Sequence, residues 1–473
     1  MNGLSQIEID PLTRIEGHLK VLVQLDQQGK VARTMADFAE FRGFEKFLEG
    51  RLVHRAPIIT TRICGVCPVP HHLASVKAIE DGLGLQPTET ADKLRELMLM
   101  GEILGDHTLH IFILSGVDYL LPDTPPKQRD VVQLYRKYPE VAKEVVYTRA
   151  VGQKIIETLG VQAVHPMTAV PGGITKRLEE DTRKKLLEYV LEAKKKVVGW
   201  YDAAIAPAVA KFIDEHLDLG QVGSAYMAMS HDGAINFYRG DVGLIDRAGK
   251  TIAEFKARNY SDHIVEEPIP YSYGKSVTVK GLGKDKGFVR TGPLARVNVA
   301  KKAGTEVADR LLKDLRGKFG SPVHGTLQYN LARYICLVYA AERLEQLLTD
   351  PGITKGDVQA EFKMKAGEGA GSVEAARGTL IHHYRWDDEG YITYANIITP
   401  TVVNANGFEA SLASAASRNI SPGKLNEEGL WHEVGLVIRA YDPCISCATH
   451  LERALTIQLC DSDGNSLRAL RGR

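Results

Sequence analysis

Two short stretches place thiols where a metal ion could collect them. Near the start, "RICGVCPVPHH" sets Cys64 and Cys67 three apart, with His71 close behind; near the other end, "DPCISCATH" repeats the spacing with Cys444 and Cys447, followed by His450. A CxxC pair can aim two sulfurs at one ion or form a redox dithiol. Zinc ribbons usually close their ligand set within a few tens of residues, whereas these pairs lie at opposite ends of the chain, which disfavours a local zinc knuckle. Spacing leaves open a four-thiolate site for zinc, an iron–sulfur cluster or nickel, since soft thiolates suit all three. A redox dithiol and unrelated core cysteines also remain open. Of the two other cysteines, Cys336 lies in the apolar run "YICLVYAAERL" and reads as a buried core thiol.

Joining the two ends requires a sizeable folded body. The chain has 473 residues, 44% of them hydrophobic, enough for a large core. Lysine plus arginine and aspartate plus glutamate each number 59, so no summed field draws the protein to nucleic acid or an anionic membrane. The opening residues lack the pattern of a secretory signal, and no uninterrupted apolar run of about 18 residues occurs. A soluble, cytoplasmic protein without a transmembrane segment is expected. The start alternates around "DQQGK" and predicts a β-hairpin. Helical spacing follows in "TADKLRELMLMGEILGDHTLHIFILSG", and a longer helical run beginning "TKRLEED" is expected to break near Pro207. Glycines, aromatics and short alternations mark a β-rich insertion at about 220–300, and "GTLIHHYRWDDEGYITYANIITP" a second β patch among further helices. The expected fold class is α+β, a helix-rich core with β excursions. His107 and His110 share one helix face and read as packed, hydrogen-bonded core residues rather than ligands.

The surroundings of the cysteines carry a resemblance. "RICGVCPVPHH", "DPCISCATH", "IDPLTRIEGH", "EFRGFEKFLEGR" and "EAARG", spread along the whole chain, resemble the large, catalytic subunit of nickel–iron hydrogenases. The group most similar is the cytoplasmic one coupled to soluble electron carriers. Ala376 departs from the pattern where proline is usual, so the loop carrying Arg377 is expected to be less rigid. The resemblance implies a helical large-subunit core and reversible heterolytic cleavage of H2 to protons and electrons. It implies nickel on Cys64, Cys67, Cys444 and Cys447, with Cys67 and Cys447 bridging to an iron that carries carbon monoxide and cyanide. A terminal thiolate, Cys444 or Cys447, or the guanidine of Arg377 would take the first proton, and Glu16 would carry it onward. His71 would hydrogen-bond a bridging sulfur, and Asp118 and Asp442 would line the site beside Arg377. Magnesium would bind Glu45, His450 and a main-chain carbonyl near Ile398.

Partners follow as well. A cluster needs about four cysteine ligands, and only Cys336 and Cys460 are unassigned, so electrons must leave through another chain. The resemblance implies an iron–sulfur small subunit, and the lack of a GxGxxG fingerprint assigns flavin or nicotinamide to further subunits. It also implies a maturation endopeptidase and chaperone. Residues 1–450 would form one catalytic domain. Residues 451–473, with alternating Leu455, Ile457 and Leu459 before "SDGN", would be a processing extension that holds "DPCISCATH" away until metal is in place, or else a permanent edge strand. Two rivals are a non-catalytic zinc or empty four-thiolate scaffold and a quinone-handling subunit of the respiratory complex I type; members of the latter lack the paired cysteines.

Overall fold

In the computed structural model, which describes residues 6–9, 12–38, 43–449, 456–460 and 466–471, the alternating N-terminal segment forms an antiparallel three-stranded sheet. Its strands are Gln6–Ile9, Leu19–Leu25 and Val31–Phe38, and the last two turn at Asp26–Lys30. The inward residues Leu19, Val21 and Val23 are buried, as period-two patterning requires.

Helices build most of the remainder. Helix Pro68–Leu83 starts directly after Cys67, with Pro68 at its first position, where a missing N–H costs nothing. The long helix Glu89–Leu109 is capped by Thr88, whose side chain accepts from the Ala91 amide. It continues through a π-helical turn, His110–Leu114, into the short helix Gly116–Tyr119. The helical stretch Glu89–Tyr119 is long and apolar enough to cross a membrane by length and composition, but 83% of its most apolar window is buried inside the protein. The break expected near Pro207 is a second π turn, Tyr201–Ile205, between helices Glu180–Trp200 and Ala206–Glu215.

The region 220–300 holds a sheet in the order Val289–Arg290, Ala225–His231, Asp241–Ile245, Thr251–Phe255, its first pair parallel. The second β patch is a meander of Gly367–Ala375, Gly378–Trp386 and Ile392–Ile398. Because Ala375 pairs with Gly378, Ala376 and Arg377 form the two-residue turn between the first two strands. Gly369 and Gly371 let this meander lie directly on the backbone of helix Pro68–Leu83. The final long helix, Glu427–Tyr441, leads into the second cysteine pair.

Candidate metal centre

The two cysteine pairs meet in the interior. Cys64 Sγ lies 3.3 Å from Cys444 Sγ, Cys67 Sγ 3.4 Å from Cys447 Sγ, and Cys444 Sγ 3.0 Å from Cys447 Sγ. All four sulfurs fall within 4.8 Å of one another, and all four cysteines are buried. Each pair is delivered by a helix boundary: Cys67 precedes helix Pro68–Leu83, and Cys444 precedes the single turn Ile445–Ala448. The amides of Val66 and Cys67 point at the Cys64 sulfur. The Cys64 thiol is pushed well below its ordinary range, chiefly by its hydrogen bond with Cys444; burial pushes Cys444 and Cys447 up. Four buried soft donors converging on one point fit a thiophilic metal centre, nickel and iron included.

Arg377, on its hairpin turn, faces this cluster from above a pair of carboxylates. Its Nη1 donates to Asp106 Oδ2 at 3.2 Å and its Nη2 to Asp442 Oδ1 at 3.0 Å. Burial opposes its charge, but Asp106 and Asp442 keep the guanidinium firmly protonated. Asp442 caps the final helix in the left-handed region (φ 61°), and burial raises its carboxyl to about 6. The turn is held without a proline: Arg296 donates to the carbonyls of Ala375 and Ala376 and pairs with the fully buried Glu374 at 2.6 Å. At the turn where proline is usual, Arg296 thus supplies a support of its own.

Asp118 is a correction. It does not sit beside Arg377; it pairs with Arg14 and Arg439, and Asp106 takes the place expected for it. The two acids lie twelve residues apart on one helical run, about 120° around and roughly 18 Å along an α-helix, so only one of them can reach Arg377. Sequence reasoning passed over Asp106, although an acid inside the apolar run "GEILGDHTLHIF" signals a buried group that must find a cation. It also passed over Glu102, on the same helix, which accepts from the Val69 amide at 2.9 Å and is pushed up by burial. Both acids line a cavity of about 90 Å³ behind Gly65.

His71 reaches the cluster: its Nε2 lies 3.4 Å from Cys447 Sγ, and its Nδ1 3.0 Å from His382 Nε2. Burial lowers His71 to about 4, so it is neutral. Glu16 approaches from the N-terminal loop. Its carbonyl accepts from the Ile445 amide at 3.0 Å, and its carboxylate accepts from the Ser446 amide at 3.0 Å and from the Ser446 hydroxyl. Ser446 lies between the two cysteines of its pair, a contact no local pattern announced.

The expected magnesium ligands are only partly described. Glu45 stands 3.9 Å from Lys275 Nζ, which also faces Glu266 at 3.5 Å and the Asn396 amide oxygen at 3.3 Å. The Glu266 oxygen nearest that ammonium is buried, and carboxylate and amide oxygens suit a hard cation. Ile398 ends the strand that carries Asn396; His450 lies outside the described residues. His107 and His110 are buried; His110 Nε2 lies 2.7 Å from the Arg439 carbonyl, whereas neither ring nitrogen of His107 has a hydrogen bond, contrary to expectation.

Comparison with known proteins agrees with this geometry. A family profile described as nickel-dependent hydrogenase matches residues 42–144 and 228–450, and one described as HoxL-like matches residues 6–41. The NAD-reducing hydrogenase HoxS subunit beta of Cupriavidus necator is 36% identical over 481 residues, covering 97% of this chain and 98% of the relative. One subunit of the F420-non-reducing hydrogenase vhu of Methanocaldococcus jannaschii is 39% identical over 417 residues, covering 87% of this chain and 99% of the relative. A crystal structure of an NAD+-reducing [NiFe]-hydrogenase in the H2-reduced state superposes with a TM-score of 0.88 at 36% identity, covering 95% of this chain and all of that one. With four thiols gathered from both ends of the chain inside the same fold, this protein belongs to the nickel-dependent hydrogenase family, as a catalytic subunit that acts on hydrogen.

Proposed function

We propose that Cys64, Cys67, Cys444 and Cys447 hold a nickel–iron centre, with Cys67 and Cys447 shared between the metals and carbon monoxide and cyanide on the iron. The observation that carries this reading is the convergence of four buried sulfurs within 4.8 Å. When bound, such a centre supplies redox-active metals on which hydrogen can be split heterolytically. The chain's own groups handle the proton. Arg377 is a poor acceptor, because two carboxylates flank it and favour its charged form; its role is to hold a fixed positive charge, oriented by Asp106 and Asp442. The first proton goes instead to the thiolate of Cys444 or Cys447. These flank Ser446, whose amide and hydroxyl hold the Glu16 carboxylate, so Glu16 carries the proton onward. His71 donates towards Cys447 and tunes that sulfur.

Magnesium would bind Glu45, the main chain near Ile398, and His450. Electrons leave to an iron–sulfur small subunit, then to flavin- or nicotinamide-type subunits, since Cys336 is buried beside Arg296 and the chain cannot ligate a cluster with what remains. A cytoplasmic enzyme fits the relatives' soluble carriers. An endopeptidase, with a chaperone, would cut between His450 and Leu451. The strands Thr456–Cys460 and Ser466–Arg471 pair only with each other among the described residues, which suits a removable hairpin. Before cleavage the extension would hold the second cysteine pair away from its final position so that the cofactor can enter, and cleavage would free His450 to bind magnesium.

Metal analysis of protein matured with its partners tests the reading. Nickel and iron are expected. One equivalent of zinc with neither metal would replace it by the scaffold reading.

A further inference from the structure

The carboxylate displaced from Arg377 has a task of its own. Asp118 lies between two guanidiniums: it accepts from Arg14 Nη2 at 2.7 Å and Nη1 at 3.1 Å, and from Arg439 Nε at 2.8 Å and Nη2 at 3.3 Å. Its side chain is 4% exposed, that of Arg439 7% and that of Arg14 20%. Burial pushes the carboxyl up, but Arg439 and Arg14 hold it below the ordinary range. The two arms belong to the two segments that must meet at the centre. Arg14 sits in the left-handed region (φ 62°), two residues before Glu16. Arg439 lies in the last turn of helix Glu427–Tyr441, just ahead of Asp442 and Cys444.

The π turn adds two further ties. Leu114 O accepts from Arg14 Nη1 at 2.7 Å, and His110 Nε2 lies 2.7 Å from Arg439 O. A π turn leaves carbonyls without their usual intrahelical donor, and such turns concentrate at functional sites. One short segment, His110–Asp118, thus grips both the loop of Glu16 and the helix that delivers the second cysteine pair. We propose that Asp118 is a positioning residue which, through Arg14 and Arg439, sets Glu16 against Ser446 and thereby governs proton transfer without touching the reacting atoms. This rests on the reading of Glu16 as proton carrier.

Asp118 itself is a poor variant, because its loss would leave both Arg14 and the buried Arg439 without their acid. Arg14→Met cuts the more exposed arm together with its tie to Leu114 O and leaves the Arg439 pair in place; Arg14→Gln is the second variant. In the assembled, metal-loaded complex, Glu16→Gln, Arg14→Met and their combination are compared by nickel and iron content, by hydrogen/deuterium exchange with solvent, and by the Glu16 carboxyl infrared band, identified by its loss in Glu16→Gln. Arg14→Met should keep both metals, shift the band and slow exchange about 10²-fold, the cost of roughly 1 Å of misplacement. The double variant should be no slower than Glu16→Gln alone. Wild-type exchange and an unshifted band in both Arg14 variants, with Glu16→Gln slow, would overturn the inference, as would effects that multiply in the double variant. Unchanged exchange in Glu16→Gln would instead remove the Glu16 reading on which it stands.

Discussion

At the scale of single residues, a buried guanidinium held between two buried carboxylates stands beside the thiols. Arg377 is shared by Asp106 and Asp442, and removing one member of such a pair leaves the rest uncompensated in a medium that solvates charge badly. Asp106→Ala should therefore cost about 3–5 kcal/mol of stability, read by denaturant unfolding; a loss below about 1 kcal/mol would show that water already enters the cavity behind Gly65. The thiols answer to a different test. Cys447 touches Cys67, Cys444 and His71, and an oxygen in its place is a harder donor. Cys447→Ser should lose iron and nickel retention together with hydrogen activation, and a purified variant with full metal content and undiminished activity would contradict the assignment.

At the scale of elements, the site depends on how closely the meander approaches helix Pro68–Leu83. A Cβ on Gly371 would meet the Ala78 amide nitrogen at 2.4 Å and the Ala74 carbonyl oxygen at 2.5 Å. Both are backbone atoms, so the helix would have to move. Gly371→Ala should cost about 1–3 kcal/mol, and since the helix carries His71, lower metal occupancy should accompany the lower denaturation midpoint. Wild-type stability would mean that strand and helix slide apart freely. The hairpin turn of Arg377 has a separate support in Arg296, buried with Glu374. Arg296→Met should cost about 3–5 kcal/mol, because Glu374 would keep its Thr379 and Met229 donors but lose its counter-charge.

At the scale of the whole molecule, burial of neutral imidazoles sets the response to acid. Burial lowers both His72 and His107 to about 4. The unfolded chain titrates these groups near 6.5, so between about pH 6.5 and 4 it binds more protons than the folded one, and stability falls as pH falls. Each histidine contributes about 1.4 kcal/mol per pH unit across that window. Equal unfolding free energies at pH 5 and pH 7 would refute this. The extension makes a second molecular prediction: active enzyme purified with its partners should have a mass lacking residues 451–473, whereas chain made without nickel keeps them. Full activity in a complex that still ends at Arg473 would rule out cleavage.

By itself the sequence singled out the two CxxC pairs, the helix-rich class and the long helix that begins near residue 90, because these are local properties: a three-residue cysteine spacing and a 3.6-residue period. The alternation that announced the N-terminal sheet and the meander is local in the same way. Which acids meet which cations was decided only in three dimensions. Asp106 and Asp118 are both acids in one apolar helical run, yet one meets Arg377 and the other Arg14 and Arg439, cations that arrive from distant segments of the chain. The contact of Glu16 with Ser446 spans 430 positions, and the substitute for a proline at Ala376 is an arginine from a distant helix. No periodicity encodes such pairs. They follow from the rule that a buried charge must find its partner, and only the packing of helices, turn and hairpin settles which partner is within reach.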